Sequence, residues 1–391
     1  MGLDQLRPYS AVMTFQSLLW FVAGSILPSL VITWLATFVV RRLAPKYGLL
    51  DQPNHRKVHV TPTPLGGGLA IGIGVILPFL VGSLLLLLGK DTISGFAPAF
   101  VADQFDGLLG RVSNLWVILA GAAVLLIVGL LDDRRGLDWR LRLGIQFGVA
   151  GVCVATQGWE LTAFIQLGQL GWLLSVGLSV IWIVALINSF NMLDNMDGLS
   201  AGVAAIAAAV LAAIMLISPA APEPQFFVAG FLFVLVGALL GFLLHNRPPA
   251  KIFMGDAGSY FVGFCIGVAT LLATYAGYNV GAPGPHNILT PLCVMAVPLY
   301  DMTTVIWIRL REGRSPFEAD KNHFSHRLVE LGLTKTQAVL TIYLTTATCG
   351  LGGLLLHQVN VFGAIVIGLL ILCVLAVISI LESTRSGNDK P

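Results

Sequence analysis

Apolar runs close to the length that crosses a bilayer recur along this chain. They fall at about 15–40, 65–88, 115–131, 143–156, 171–187, 199–217, 226–244, 258–277, 289–308, 336–357 and 362–381. A helix of roughly 20 apolar residues spans the hydrocarbon. Inside it every backbone N–H and C=O must be satisfied within the segment, so a chain with so many such runs is confined to a helical bundle. The composition agrees, with 56% hydrophobic and 11% charged residues, where soluble domains carry about a quarter charged. The expected fold class is all-α: a polytopic transmembrane helical bundle of about eleven spans. It would form a single integral membrane domain over residues 1–391, with a motif-bearing core at about 40–335 and two further spans and a short tail at 336–391. The first run is too long for a cleaved signal peptide, and Arg41 and Arg42 follow it instead of preceding it.

Charge orients such a bundle. With an odd number of spans the connecting loops divide into two sets. The set holding 41–64, 132–142, 188–198, 245–257, 309–335 and the C-terminal tail carries 19 of the 22 Lys and Arg residues, and the other holds Arg7, Lys90 and Arg111. The positive-inside rule therefore puts the N-terminus outside and the first set, with the C-terminus, in the cytoplasm. A net charge of +2 gives no reason to expect nucleic acid as a partner. The five cysteines lie in or beside apolar runs without zinc or disulfide spacing and read as reduced thiols.

Asp132, Asp133, Asp138, Asp194, Asp197, Asp256 and Asp301 all fall at or near the cytoplasmic ends of these runs, together with His55, His59, His245, His323 and His326. Acids at membrane depth are costly and usually serve a polar cavity. Asp132-Asp133 ends a span and is followed by Arg134, Arg135, Arg140 and Arg142. Paired carboxylates suit Mg²⁺, or a division into base and metal ligand. The alternative is a helix end whose charges reach for water, although two acids there oppose the helix dipole. The segment 188–198 carries Asn188, Asn191, Asp194, Asn195 and Asp197 without a Lys or Arg. Either a ligand with donors or a cation would satisfy it, and so would an Asn/Asp turn. In 245–259, Asp256 stands between Gly255 and Gly258 where a span begins. It fits a metal that bridges a diphosphate at a helix N-terminus, and equally an N-cap. The loop from Asp301 through Arg309, Arg311 and Arg314 to Asp320, Lys321, His323, His326 and Arg327 suits anionic groups, or is simply a solvated positive loop. It lacks a third convincing ligand for zinc. A basic turn, His55 to His59, leads into Gly66-Gly67-Gly68 and could hold a lipid phosphate.

Together these segments resemble the polyprenyl-phosphate N-acetylhexosamine-1-phosphate transferases. The matching elements are H-V-T-P-T-P-L-G-G at 59–67, Asp132-Asp133, N-M-L-D-N-M-D-G at 191–198, P-A-K-I-F-M-G-D-A-G-S at 249–259, and R-S-P-F with D-K-N-H-F-S-H-R-L at 314–328. The chain looks closer to the WecA/TagO branch than to MraY. Ser325 and Asn195 depart from the usual pattern, which has His and Gly at those places.

The resemblance implies a bacterial inner-membrane, multi-pass enzyme with its active site facing the cytoplasm. It implies Mg²⁺ as cofactor, with Mn²⁺ as a substitute, a UDP-sugar donor, undecaprenyl phosphate as acceptor, and compatibility with a homodimer. N-acetylglucosamine 1-phosphate would pass to the lipid phosphate with release of UMP. UDP-GalNAc and UDP-MurNAc-pentapeptide are the alternative donors. By motif match, the catalytic group would be Asp132, Asp133, Asp197 and His326, and the metal ligands Asp256 and Asp133. Asn191, Asp194, Asp197, Asn246, Phe253, His323 and Arg314 would bind the nucleotide sugar, and Lys57, His59 and Arg142 the lipid phosphate. Asp132 would take a proton from the lipid phosphate or position it. A secondary transporter also carries intramembrane acids and interrupted spans, but it places them near the midplane. A scaffold would not need chemistry in five loops.

Overall fold

The computed structural model describes residues 14–52, 62–95, 104–159, 161, 167–217, 225–278, 285–318 and 322–383. In chain order the helices are α1 (Phe15–Leu43), α2 (Gly67–Leu86), α3 (Lys90–Ser94), α4 (Phe105–Arg135), α5 (Trp139–Gln157), α6 (Gly168–Leu193) and α7 (Leu199–Ile217). They continue with α8 (Phe226–Asn246), α9 (Gly255–Tyr278), α10 (Thr290–Val294), α11 (Ala296–Arg311), α12 (Phe324–Glu330), α13 (Lys335–Leu355) and α14 (Val361–Ser383). One short antiparallel ladder pairs β1 (Leu50–Asp51) with β2 (Thr63–Pro64).

Among the described residues, 9 helices are long and apolar enough to cross a membrane, so the all-α polytopic class stands. Two of the expected spans are not among those nine. The run at 143–156 lies in α5, whose first four residues include Arg140 and Arg142 and whose start is capped by Asp138 accepting from Arg140 N at 2.9 Å. The run at 289–308 is divided into α10 and α11 at Met295, with Pro291 and Pro298 in the opening turns of the two pieces. Proline removes the donor that a continuous helix would need.

Burial separates the spans into centre and periphery. The apolar window of α9 is 89% buried, against 72% for α8, 67% for α7 and 11% for both α1 and α14. A helix hydrophobic all round belongs in the middle of a membrane bundle, and α9 fills it with Tyr260, Phe261 and Phe264, all fully buried. α9 packs on α4 and α6, α7 on α8 and α13, and α1 on α8 and α2. The outer surfaces of α1 and α14 expose Leu, Ile, Val and Phe, as a bilayer-covered surface does.

At one end α2, α4 and α9 approach to backbone contact. A Cβ on Gly68 would lie 2.1 Å from the Gly258 N, and one on Gly129 would lie 2.3 Å from the Ala257 Cα. Small residues are what allow helices to close on one another in lipid. Gly129→Ala should therefore destabilise the protein by about 1–3 kcal/mol despite its better helix propensity. Gly110→Ala on the same helix meets open space and should be neutral or stabilising. Thermal melting of the two variants in detergent checks the pair.

Candidate active site

Helices α4, α6 and α8 end where α2, α5, α7 and α9 begin, which brings four separated motifs to one end of the bundle. The 252–255 segment is held there by its backbone. Phe253 N donates to Pro64 O at 2.9 Å, Gly67 N to Phe253 O at 3.0 Å and Gly68 N to Met254 O at 3.0 Å. The chain then turns into α9 at Gly255, with φ +72°, where a Cβ would sit 2.5 Å from an Asp133 oxygen. Only glycine tolerates that conformation and that neighbour.

Asp133 is the cap of α9, supplied from α4. Its Oδ1 accepts from Asp256 N at 2.8 Å and its Oδ2 from Ala257 N at 3.2 Å. The first amides of α9 are therefore taken by a carboxylate of the protein and not left for a phosphate, and each Asp133 oxygen already serves an amide. Asp132, the adjacent residue, is buried and differently occupied. Its Oδ1 accepts from Leu137 N at 2.8 Å, and its Oδ2 from Arg142 Nη1 at 2.7 Å and the Tyr260 hydroxyl at 2.8 Å. With both oxygens engaged by three donors, Asp132 is placed to hold Arg142, and this geometry favours positioning.

Asp256 faces the same space. Its Oδ1 accepts from Asn191 Nδ2 at 2.5 Å, Asn191 also reaches Ser259 Oγ at 3.0 Å, and the Asp132 carboxyl lies near enough for the two charges to act on each other. Asp194 lies just past the end of α6, beside Gly255. Burial, then the charge of Asp256 and more weakly that of Asp197, push the Asp194 carboxyl up to about 7. Four carboxyls thus meet around α9's first turn, where Arg142 pairs with Asp132. Such an excess of negative charge at low dielectric calls for a cation.

Other sequence candidates are used to build the loops. Asn246 is buried, its Oδ1 accepting from Gly198 N at 2.9 Å and its Nδ2 donating to Ile252 O at 2.8 Å. Asp197 Oδ2 accepts from Ala250 N at 2.9 Å. These two residues clamp the 194–198 loop to the 246–252 loop. His245 points away, to Trp34 O at 3.2 Å and the Phe38 ring. Phe253 is partly buried beside Gly67, its backbone bonded on both sides.

The His segment is ordered by a residue whose partner the sequence does not reveal. Asp301, fully buried in α11, holds His323 Nδ1 at 3.0 Å with one oxygen and accepts Phe324 N at 2.6 Å with the other. His326 follows one turn on, its ring 6.3 Å from that of His323. Ser325 Oγ donates to Asn195 Oδ1 at 2.5 Å, so the two departures from the family pattern are bonded to each other and join α12 to the 194–198 loop. Arg314 pairs with Glu312, and Phe317 stacks on Trp139 with centroids 4.0 Å apart. Lys57, His59, Asp320 and Lys321 lie outside the described residues. Tyr260 was missed in the sequence because it lies inside an apolar run, just past the motif that ends at Ser259. Asp301 was visible as an acid in such a run, but its partner 22 residues on was not.

Residues 115–274 match the family described as glycosyl transferase family 4. A protein named probable undecaprenyl-phosphate N-acetylglucosaminyl 1-phosphate transferase from Bacillus subtilis (strain 168) is 31% identical over 368 residues, covering 93% of this chain and 92% of its own. The decaprenyl-phosphate N-acetylglucosaminephosphotransferase of Mycobacterium tuberculosis (strain ATCC 25618 / H37Rv) is 32% identical over 384 residues, 93% of this chain and 89% of that one. The undecaprenyl-phosphate alpha-N-acetylglucosaminyl 1-phosphate transferase of Escherichia coli (strain K12) is 30% identical over 343 residues, 83% of this chain and 81% of its own. The resemblance carried by the motifs therefore extends over most of the chain, and with these relatives the protein belongs to glycosyl transferase family 4.

Proposed function

We propose that this protein transfers N-acetylglucosamine 1-phosphate from UDP-N-acetylglucosamine to undecaprenyl phosphate and releases UMP. The observation that carries the reading is the convergence of Asp132, Asp256 and Arg142 at one end of a membrane bundle, in a chain similar over most of its length to relatives named for that transfer. The concentration of 19 of the 22 Lys and Arg residues in the loops on the motif-bearing side and the tail supports a cytoplasmic site in a bacterial inner membrane. A soluble donor would meet a lipid acceptor there.

The transfer exchanges one phosphoanhydride for another. An oxygen of the lipid phosphate attacks the β-phosphorus of the donor, and the bond from that phosphorus to the oxygen bridging it to UMP breaks. UMP leaves with the bridging oxygen, and the sugar–phosphate bond is untouched. Such a reaction asks the protein chiefly for in-line positioning and charge neutralisation. Arg142, held by Asp132 and Tyr260, retains donors to grip the lipid phosphate. Asn191 fixes the rotamer of Asp256.

The donor set fits Mg²⁺. Among the described residues no three His, Cys, Asp or Glu side chains form a cation cage. Mg²⁺ in phosphoryl-transfer sites is held by one or two carboxylates, with substrate phosphates and water completing the octahedron. Asp256 would hold it, and it would neutralise charge on the diphosphate. Asp194 would line the donor side, with His323 and His326 at its phosphates.

The test is UMP release by the detergent-purified protein, with Mg²⁺ and undecaprenyl phosphate, comparing UDP-GlcNAc, UDP-GalNAc and UDP-MurNAc-pentapeptide. Release that requires the lipid phosphate and favours UDP-GlcNAc is expected, and no release with any of the three donors would overturn the proposal. Asp256→Asn should lower turnover by about two orders of magnitude or more while the protein still melts as a folded species. Arg142→Lys keeps the charge but loses the fork, and should raise KM for the lipid phosphate about 10- to 100-fold with a smaller effect on KM for the donor.

A further inference from the structure

The last helix carries a buried acid that none of the motifs includes. α14 is otherwise peripheral. Near its start Ala364, Ile367 and Ile371 pack on Cys293, Ala296, Cys349 and Leu356, and most of its remaining surface is exposed and apolar. Yet at its far end the Glu382 side chain is 7% exposed, and its Oε2 is 3.0 Å from Arg327 Nε and 2.9 Å from the Tyr300 hydroxyl, which donates to it. A helix that served only as a membrane anchor would gain nothing from burying a carboxylate, because desolvation cancels much of what the ion pair returns.

Both partners of Glu382 adjoin the histidine segment. Tyr300 precedes Asp301, the residue that holds His323 Nδ1 and Phe324 N, and its ring meets Phe324 edge-on at 5.6 Å. Arg327 lies in α12 four residues after His323. It donates through Nη1 to the carbonyl of Asn322, the residue before His323, and through Nη2 to Thr304 Oγ1 at 3.2 Å. Glu382 therefore grips the Asp301–His323 pair from two sides, through the residue before Asp301 and through the arginine that binds the backbone before His323.

We infer that Glu382 is a positioning residue for His323 and His326, and that α14 is part of the frame of the active site through the Glu382–Arg327–Tyr300 cluster. The inference rests on the transferase reading for its kinetic arm only. Misplacing a reacting group by about 1 Å can cost on the order of 10²-fold in rate.

The experiment compares Glu382→Leu, Glu382→Gln and Glu382→Asp in the full chain. Glutamine keeps an acceptor for Arg327 and Tyr300, leucine keeps neither bond, and aspartate keeps the charge but withdraws it by about 1.5 Å. Three quantities are read: kcat and KM for UMP release, the melting temperature, and the rate at which diethyl pyrocarbonate modifies His323, measured by mass spectrometry. E382L should lose kcat about tenfold or more and speed the modification of His323 about fivefold, E382D should shift the same way, and E382Q should stay within about threefold of the wild type on both. If E382L does not fold, E382D against E382Q carries the same comparison. Unchanged kcat in the leucine or aspartate variant, whatever its melting temperature, would overturn the inference, as would a loss of kcat with unchanged His323 reactivity. A wild-type protein without UMP release would sink the transferase reading alone, because the reactivity of His323 reports the positioning separately.

Discussion

The capping of α9 by Asp133 is the contact on which the rest of the site depends. α9 is the most buried span, and an uncapped N-terminus in the middle of a membrane bundle would leave buried amides unpaired, at about 1–3 kcal/mol each. Asp133 satisfies two of them from α4. The cap works because Gly255 adopts a left-handed turn against Asp133 and because Gly68 and Gly129 let α2 and α4 close on the same turn. Once α9 is fixed in this way, Asp256 and Tyr260 have no freedom of direction. One faces Asn191 and the other Asp132.

From that anchor the site spreads through polar side chains that bind backbone. Asn246 and Asp197 hold two loops together. Ser325 and Asn195 join a third segment to them, and Asp301 orders the histidines. The polar residues at this end thus divide into a frame, whose hydrogen bonds are closed, and a smaller set comprising Asp256, Asp194 and Arg142 that faces one another's charge. Preorganisation of this kind is what phosphoryl transfer needs, since the protein supplies position and field more than covalent chemistry.

Much of this was legible in the sequence. The spans follow from the apolar runs, and the acids that matter stand out because they stand at the ends of those runs on one side. Asp132, Asp133, Asp194 and Asp256 were found in that way. What remained hidden was the pairing. A sequence shows that Asp133 ends a helix but not that it caps another helix more than 120 residues on, at Asp256. Asn246 was assigned to the nucleotide sugar by motif match, and nothing local reveals that Gly198 N and Ile252 O use both ends of its amide. The runs at 143–156 and 289–308 take a form that the apolar pattern does not show, a helix opening on two arginines and a helix pair divided near Met295. Glu382 lies beyond every motif, and only the packing of α14 gives it meaning.

The division of labour proposed for neighbouring carboxylates is the central claim: Asp133 builds the helix end, and Asp256 would hold the cation. Titration of Mn²⁺ followed by electron paramagnetic resonance, on the wild type and on Asp133→Asn and Asp256→Asn, tests it directly. The account predicts that Asp256→Asn weakens Mn²⁺ binding at least about tenfold with little change in melting temperature. It predicts that Asp133→Asn, which loses one of two amide bonds, lowers the melting temperature in the absence of metal while Mn²⁺ affinity stays within about threefold. Loss of Mn²⁺ binding in Asp133→Asn with an unchanged melting temperature would contradict it.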